Sequence, residues 1–219
     1  MTRHGRCGLH LFIALLVFAG AAWGQGSGLT VVDLSILPAN LEPDFKLWGT
    51  GEGGAGEWAL VADPTAAGGR AIAQVSKDRT DYRFPLAVYK PYSGKDVEVS
   101  VRFKPVAGVV DQAGGAVVRL QTPDDYYVAR ANALENNVGF YRVVKGQREQ
   151  LASANAKVAA NAWHTLALKA EGDRFTITFD GKELFTAQDG TIPQAGKVAL
   201  WTKADSVTYF DTVSIRPLP

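Results

Sequence analysis

Few side chains in this 219-residue chain have the type and spacing for covalent chemistry. Of its three histidines, His4 and His10 lie in the first 24 residues, so a Ser/His/Asp triad or a histidine metal centre beyond that segment would have to run through His164 alone. His164 follows Trp163 and opens the run HTLALKA, where it reads as a surface strand histidine near a sheet margin. The nearest acidic pairs, Asp124 with Asp125 and Asp96 with Glu98, read as a turn and an exposed strand face. No catalytic motif emerges from these residues.

Binding chemistry has better candidates. In YYVARAN, Tyr126, Val128, Arg130 and Asn132 share one strand face, while Arg119 with Gln121, and Arg102, occupy the polar faces of two other runs. Planar aromatics beside Arg and Asn suit a polyhydroxylated ligand, because rings cover pyranose faces and the polar groups satisfy hydroxyls that lose water. If strand order brings the runs together, Arg102, Arg119 and Arg130 form one basic surface, with Asn136, Asn137 and Tyr141 at its rim. The alternative is a solvated sheet face on which the arginines pair with acids such as Glu98.

Trp201 and Lys203 join this candidate set. On parity Trp201 opposes Val198, Leu200 and Thr202, so it is either a stacking platform on the outer face or a ring packed beneath a loop. Lys203, Asp205 and Ser206 of the link after it read first as turn residues, with Asp205 able to cap its own backbone.

These residues sit on a period-two pattern that runs through most of the chain. In VEVSVRFK, Val97, Val99, Val101 and Phe103 fall on one face and Glu98, Ser100, Arg102 and Lys104 on the other. The alternation recurs in residues 115–121, 126–132, 138–144, 164–170, 174–180, 182–187, 197–202 and 207–215. Asp180-Gly181 between two such runs is a strong hairpin signal, because a type I′ turn needs positive φ at both central residues. Lys145-Gly146, Gly172-Asp173, Pro123-Asp124-Asp125 and Gly94-Lys95-Asp96 supply further turns. The glycine-rich stretch at 49–58 reads as a long loop before a strand at 57–62. Many short strands without a long 3.6-period segment predict an all-β antiparallel sandwich, as one domain over residues 25–219.

The first residues, MTRHGRCGLHLFIALLVFAGAAWGQ, place Arg3 and Arg6 before an apolar stretch and small residues before Gln25. This predicts a signal peptide over residues 1–24 and a periplasmic or secreted protein with no membrane span after cleavage. Cleavage removes Cys7, the single cysteine, and takes Lys plus Arg from 23 to 21 against 22 acids. A disulfide-free exported domain must be held by its core. Its near-neutral balance offers no electrostatic reason to bind nucleic acid.

The runs DQAGGAVVRLQTPDDYYVARANALENNVGFYRVVKG, NAWHTLALKAEGDRFTITFDGKEL and GKVALWTKADSVTYFDTVSI resemble the concanavalin A-like lectin and glucanase superfamily, including its laminin G-like and 3-keto-disaccharide hydrolase members. The resemblance covers most of residues 29–216 and is strongest from Val97 onward. It implies a jelly-roll sandwich. The alternating E-x-D-x-E type of acid strand that family 16 glycosidases use to set two carboxyl groups about 5 to 5.5 Å apart has no counterpart here. The hydrolase domain's L-Q-D-H-G and F-R-N-I pattern is largely replaced, with Trp201 at the glutamine, Lys203 at the histidine and Asp211-Thr212 at the Arg-Asn pair.

The expectation is therefore an exported carbohydrate-recognition domain without evident catalysis. A glycoside or 3-keto-glycoside hydrolase of the same fold is the first alternative, and a laminin G-like module with a protein partner the second. No cofactor is expected; Asp111, Asp205 and Asp211 leave room for the structural calcium ion that related folds sometimes hold, although no D-x-D-x-D-G loop is present.

Overall fold

The computed structural model describes residues 1, 28–33, 37 and 41–219. Apart from Met1, the expected signal peptide lies outside the described residues. Fifteen strands account for nearly all the regular structure described: β1 (Thr30–Asp33), β2 (Phe45–Gly51), β3 (Trp58–Ala62), β4 (Arg70–Gln74), β5 (Arg83–Gly94), β6 (Val97–Ala107), β7 (Ala113–Thr122), β8 (Asp125–Asn132), β9 (Asn137–Val144), β10 (Gln147–Asn155), β11 (His164–Glu171), β12 (Arg174–Phe179), β13 (Lys182–Gln188), β14 (Gly196–Trp201) and β15 (Val207–Pro217). Among the described residues no helix is long and apolar enough to cross a membrane.

The strands form two antiparallel sheets. The first has the order β13-β12-β11-β6-β15-β4-β3, with β1 also paired to β15; the second has the order β10-β9-β8-β7-β14-β5-β2. This is the expected sandwich of jelly-roll type. Alternation explains the packing: Val97, Val99, Val101 and Phe103 of β6 turn inward and are buried, while their neighbours face outward. Inside, Tyr127 and Phe140 lie 4.5 and 4.8 Å from Phe175, centroid to centroid, and Phe103 meets Phe210. Each fully buried phenylalanine contributes about 1.5 to 3 kcal/mol, so these rings carry much of the cohesion of the sandwich.

Local chemistry sets the hairpins. Asp180 and Gly181 have φ of 46° and 78°, and Lys145 and Gly146 have 50° and 74°, the positive values that match a hairpin to the twist of its strands. Besides β3, five strands lie outside the alternating runs: β1, β2, β4, β5 and β10. In β5 the reason is burial on both faces, with Phe84, Leu86 and Val88 on one side and Ala87 and Tyr89 on the other, which reads as a continuous apolar run. The glycine-rich stretch is correspondingly shorter as a loop, since β2 extends into it as far as Gly51.

Candidate functional site

The outer face of the second sheet carries a second buried cluster. Tyr127, Ala129 and Ala131 of β8 point into the main core, so Tyr126, Val128, Arg130 and Asn132 point outward, as parity requires. Around them lie Phe84, Leu86 and Val88 of β5, Val117 of β7, Tyr141 and Val143 of β9, and Trp201 of β14. Trp48 and Tyr82 pack at the edge of this cluster.

Long-range contacts close this face over. The Trp201 indole stacks on Phe84 with centroids 5.4 Å apart and planes at 16°, and its N–H donates to the Tyr126 hydroxyl at 3.2 Å. Tyr126 Oη is also 3.0 Å from Thr50 Oγ1, and burial pushes the phenol up to about 12 despite these partners. The Tyr82 hydroxyl donates to the Gly146 carbonyl and accepts the Arg148 N–H, each at 2.9 Å, which ties the segment before β5 to the β9–β10 turn.

One end of the face remains polar. Arg130 bonds Glu135 through Nη2 at 2.6 Å and Asn137 Oδ1 at 2.8 Å, and its Nη1 lies 3.7 Å from Asp111. Asn132 Nδ2 donates to Asp111 Oδ1 at 2.9 Å. Lys203 Nζ is 3.1 Å from Asp111 and also pairs with Asp81. Burial pushes the Asp111 carboxyl up, against the opposing pull of Arg130 and Lys203. At Glu135 burial also acts upward, but the Arg130 hydrogen bond and charge win and hold it below the ordinary range. Glu135 and Asp81 reach solvent, with side chains 48% and 72% exposed.

Two guanidinium groups share the Tyr141 ring. Arg130 Cζ lies 5.5 Å from its centroid and Arg148 Cζ 4.7 Å, and Arg148 also covers Phe84 at 4.8 Å and Trp201 at 6.0 Å. Gly139 makes room for the phenol, since a Cβ there would come within 2.5 Å of Tyr141 Oη. The result is a rim of fixed donors and acceptors around Arg130, Glu135, Asn137 and Tyr141, backed by closed aromatic packing.

Residues 95–218 match the family model described as galactocerebrosidase, C-terminal lectin domain. The chain belongs to this lectin-domain family. Among solved structures, it is similar to the carbohydrate binding module CBM66 from Bacillus subtilis, with 22% identity, a TM-score of 0.61, and 74% of this chain and 91% of the other covered. A Bacillus licheniformis beta-glucanase aligns at 14% identity and a TM-score of 0.60, over 89% of this chain and 100% of that one. A carbohydrate esterase from the Shiga toxin-encoding bacteriophage phi24B aligns at 17% identity and a TM-score of 0.55, over 88% and 100%. At these identities the likeness is one of fold. A comparison with curated protein sequences finds no match.

Within this lectin-family domain the three arginines read as one basic surface are dispersed. Arg102 lies on the first sheet, paired with Asp211 and 4.6 Å from the Trp163 ring. Arg119 sits at a β-bulge with φ of 52° and is buried, so it serves the interior rather than a surface. Its guanidinium binds the carbonyls of Lys95, Ile192 and Gly172 and the Asp96 carboxylate. Arg130 alone of the three reaches the rim.

Other expectations also shift. Trp201 is fully buried and packs, so it offers no open platform, and Tyr126 is closed in beside it. His164 is buried rather than exposed, held by Asp180 at 2.8 Å and the Ala159 N–H at 3.0 Å. Asn136 shapes its loop with φ of 50° and accepts the Val158 N–H. Asp205 caps a neighbouring loop as well as its own backbone: burial pushes its carboxyl up, but the N–H groups of Val109, Asp111 and Val110 and its own N–H hold it below the ordinary range. Asp111, Asp205 and Asp211 do not converge as an oxygen cage, and among the described residues no group of three potential metal ligands forms.

Arg148, Glu135, Asp81, Tyr82 and Phe84 were missed by sequence reasoning. For Arg148 a signal existed. A two-residue Lys145-Gly146 turn pairs Val143 with Arg148, which places it on the Tyr141 face. Phe84 and Tyr82 had no such local signal.

Proposed function

We propose that this domain recognises a carbohydrate at the polar end of the second sheet's outer face, as part of an exported protein. The observation that carries the proposal is the Arg130–Glu135–Asn137 network beside the Tyr141 ring, on a chain of the lectin-domain family. Sugar hydroxyls both donate and accept, so a receptor needs carboxylate, amide and guanidinium groups already held in place. Proteins of similar fold, a carbohydrate binding module, a glucanase and a carbohydrate esterase, point the same way. The amino-terminal sequence supports export.

The network favours binding over glycoside hydrolysis. A retaining hydrolase needs one carboxyl group protonated to act as general acid. Glu135 is instead held ionised by Arg130, an arrangement suited to accepting hydrogen bonds.

A thermal-shift screen of the protein against a glycan panel tests the proposal. A sugar at about 100 times its Kd stabilises the fold by roughly 2.7 kcal/mol, enough to move Tm by several degrees. Glu135→Gln and Asn137→Ala should abolish the shift while the unliganded Tm changes little. A panel in which no glycan moves Tm, repeated by calorimetric titration, would sink the reading.

A further inference from the structure

We propose that the carbohydrate bound here is anionic, carrying a carboxylate or sulfate ester that Arg148 receives; this inference rests on the carbohydrate reading above. It starts from how three buried arginines are satisfied, compared with the half-buried Arg148. Arg83 finds Asp78 and the Ala204 carbonyl, Arg119 finds Asp96 and three carbonyls, and Arg130 finds Glu135, Asp111 and Asn137. Arg148 differs. Among the described residues no carboxylate lies within ion-pair distance of it; its Nη1, like the Nε of Arg83 and of Arg130, is shielded from solvent without a hydrogen-bond partner.

Its surroundings hold the cation in place without neutralising it. The guanidinium lies against three rings, Tyr141, Phe84 and Trp201, and its backbone N–H is held by the Tyr82 hydroxyl. Aromatic faces stabilise a cation while leaving the Nε and Nη2 edge, which is not among the shielded atoms, available, and that planar edge fits a carboxylate or sulfate through two parallel bonds. The nearby acids are committed elsewhere. Glu149, the next residue, binds Arg142, and Asp125 takes the Thr122 hydroxyl and the Lys145 N–H.

At the polar end of this face the other two cations of the network are already compensated, Lys203 by Asp111 and Asp81 and Arg130 by Glu135. Within this network uncompensated positive charge therefore remains at Arg148. Through the shared Tyr141 ring it adjoins the Arg130–Glu135–Asn137 rim, so one saccharide could place its anion on Arg148 and its hydroxyls on the rim.

The test is calorimetric titration of the protein with matched saccharide pairs: galacturonate against galactose oligosaccharides, glucuronate against glucose oligosaccharides, and a 6-sulfated galactoside against its unsulfated form. The expected result is at least tenfold tighter binding of one charged class, weakening with salt. Preference for the uronates or for the sulfated sugar identifies which anion is used. Arg148→Gln should erase the preference, so that charged and neutral members of a pair bind alike, and Arg148→Lys should keep part of it. Arg174→Gln, on the exposed margin of the other sheet, should leave it unchanged. Tm of each variant, measured in parallel, establishes that it is folded.

Equal or weaker binding of the charged sugars overturns the inference and leaves carbohydrate recognition standing. A charge preference that survives Arg148→Gln also overturns it. Failure of every saccharide, charged or neutral, overturns both.

Discussion

The Trp201 indole lies flat against the Phe84 phenyl ring, 5.4 Å between centroids, on the outward side of a sheet whose other side forms the main core. A sheet buried on both faces behaves energetically as interior, so this ring pair is structural. Trp201→Ala should cost about 3 to 5 kcal/mol in urea unfolding. A cost under about 1 kcal/mol would mean that the ring is free to serve a ligand.

Lys203 bridges Asp111 and Asp81, and its loss would leave the fully buried Asp111 carboxylate with the Asn132 amide and with Arg130, 3.7 Å away, as its one remaining cation. Lys203→Met should destabilise by about 3 to 5 kcal/mol. Adding Asp111→Asn should recover a large part of that, because it removes the stranded charge. A double-mutant cycle in urea reads this coupling, and additive losses would show that the pair is independent.

Arg119 joins three separate connections: the β5–β6 link at Lys95 and Asp96, the β11–β12 turn at Gly172, and the segment before β14 at Ile192. Arg119→Ala should cost about 3 to 5 kcal/mol and leave sugar affinity unchanged. Hydrogen exchange offers a local readout. The Gly172 amide, which donates to Asp96, should exchange faster in the variant.

Asp63 is held at about 2, below its ordinary value of 3.8, first by the hydrogen bond from Lys104 and then by that from the Thr65 hydroxyl. A lowered carboxylate contributes stability that is complete above the ordinary value and disappears as pH falls through the folded one. Urea midpoints should therefore drop between about pH 4 and pH 2. Asp63→Asn should flatten that part of the profile. An identical acid limb in the variant would assign the loss to other carboxylates, such as Asp205.

Much of this architecture was legible before any coordinates. The β6 alternation, the Asp180-Gly181 and Lys145-Gly146 hairpins, and the parity that sends Arg130 and Asn132 outward are all local, because side chains alternate with period two and turn residues need particular φ values. Even Arg148 was within reach, one register step beyond a recognised turn. The family match begins at residue 95, close to where the sequence resemblance strengthens.

What the sequence by itself determined is the strand content, the sandwich and the face on which each β8 residue lies. Strand order, which sends Arg102 to one sheet and Arg130 to the other, was decided by tertiary structure. So was the bulge that turns Arg119 inward, and the fate of Trp201. Phe84 lies 117 positions before Trp201, and Thr50 lies 76 before Tyr126. Period two states which way a side chain points, but only the folded chain states what comes to lie on top of it. That long-range covering decided between the two readings of Trp201, making it core, and left Arg130, Glu135, Tyr141 and Arg148 as the edge on which the proposals rest.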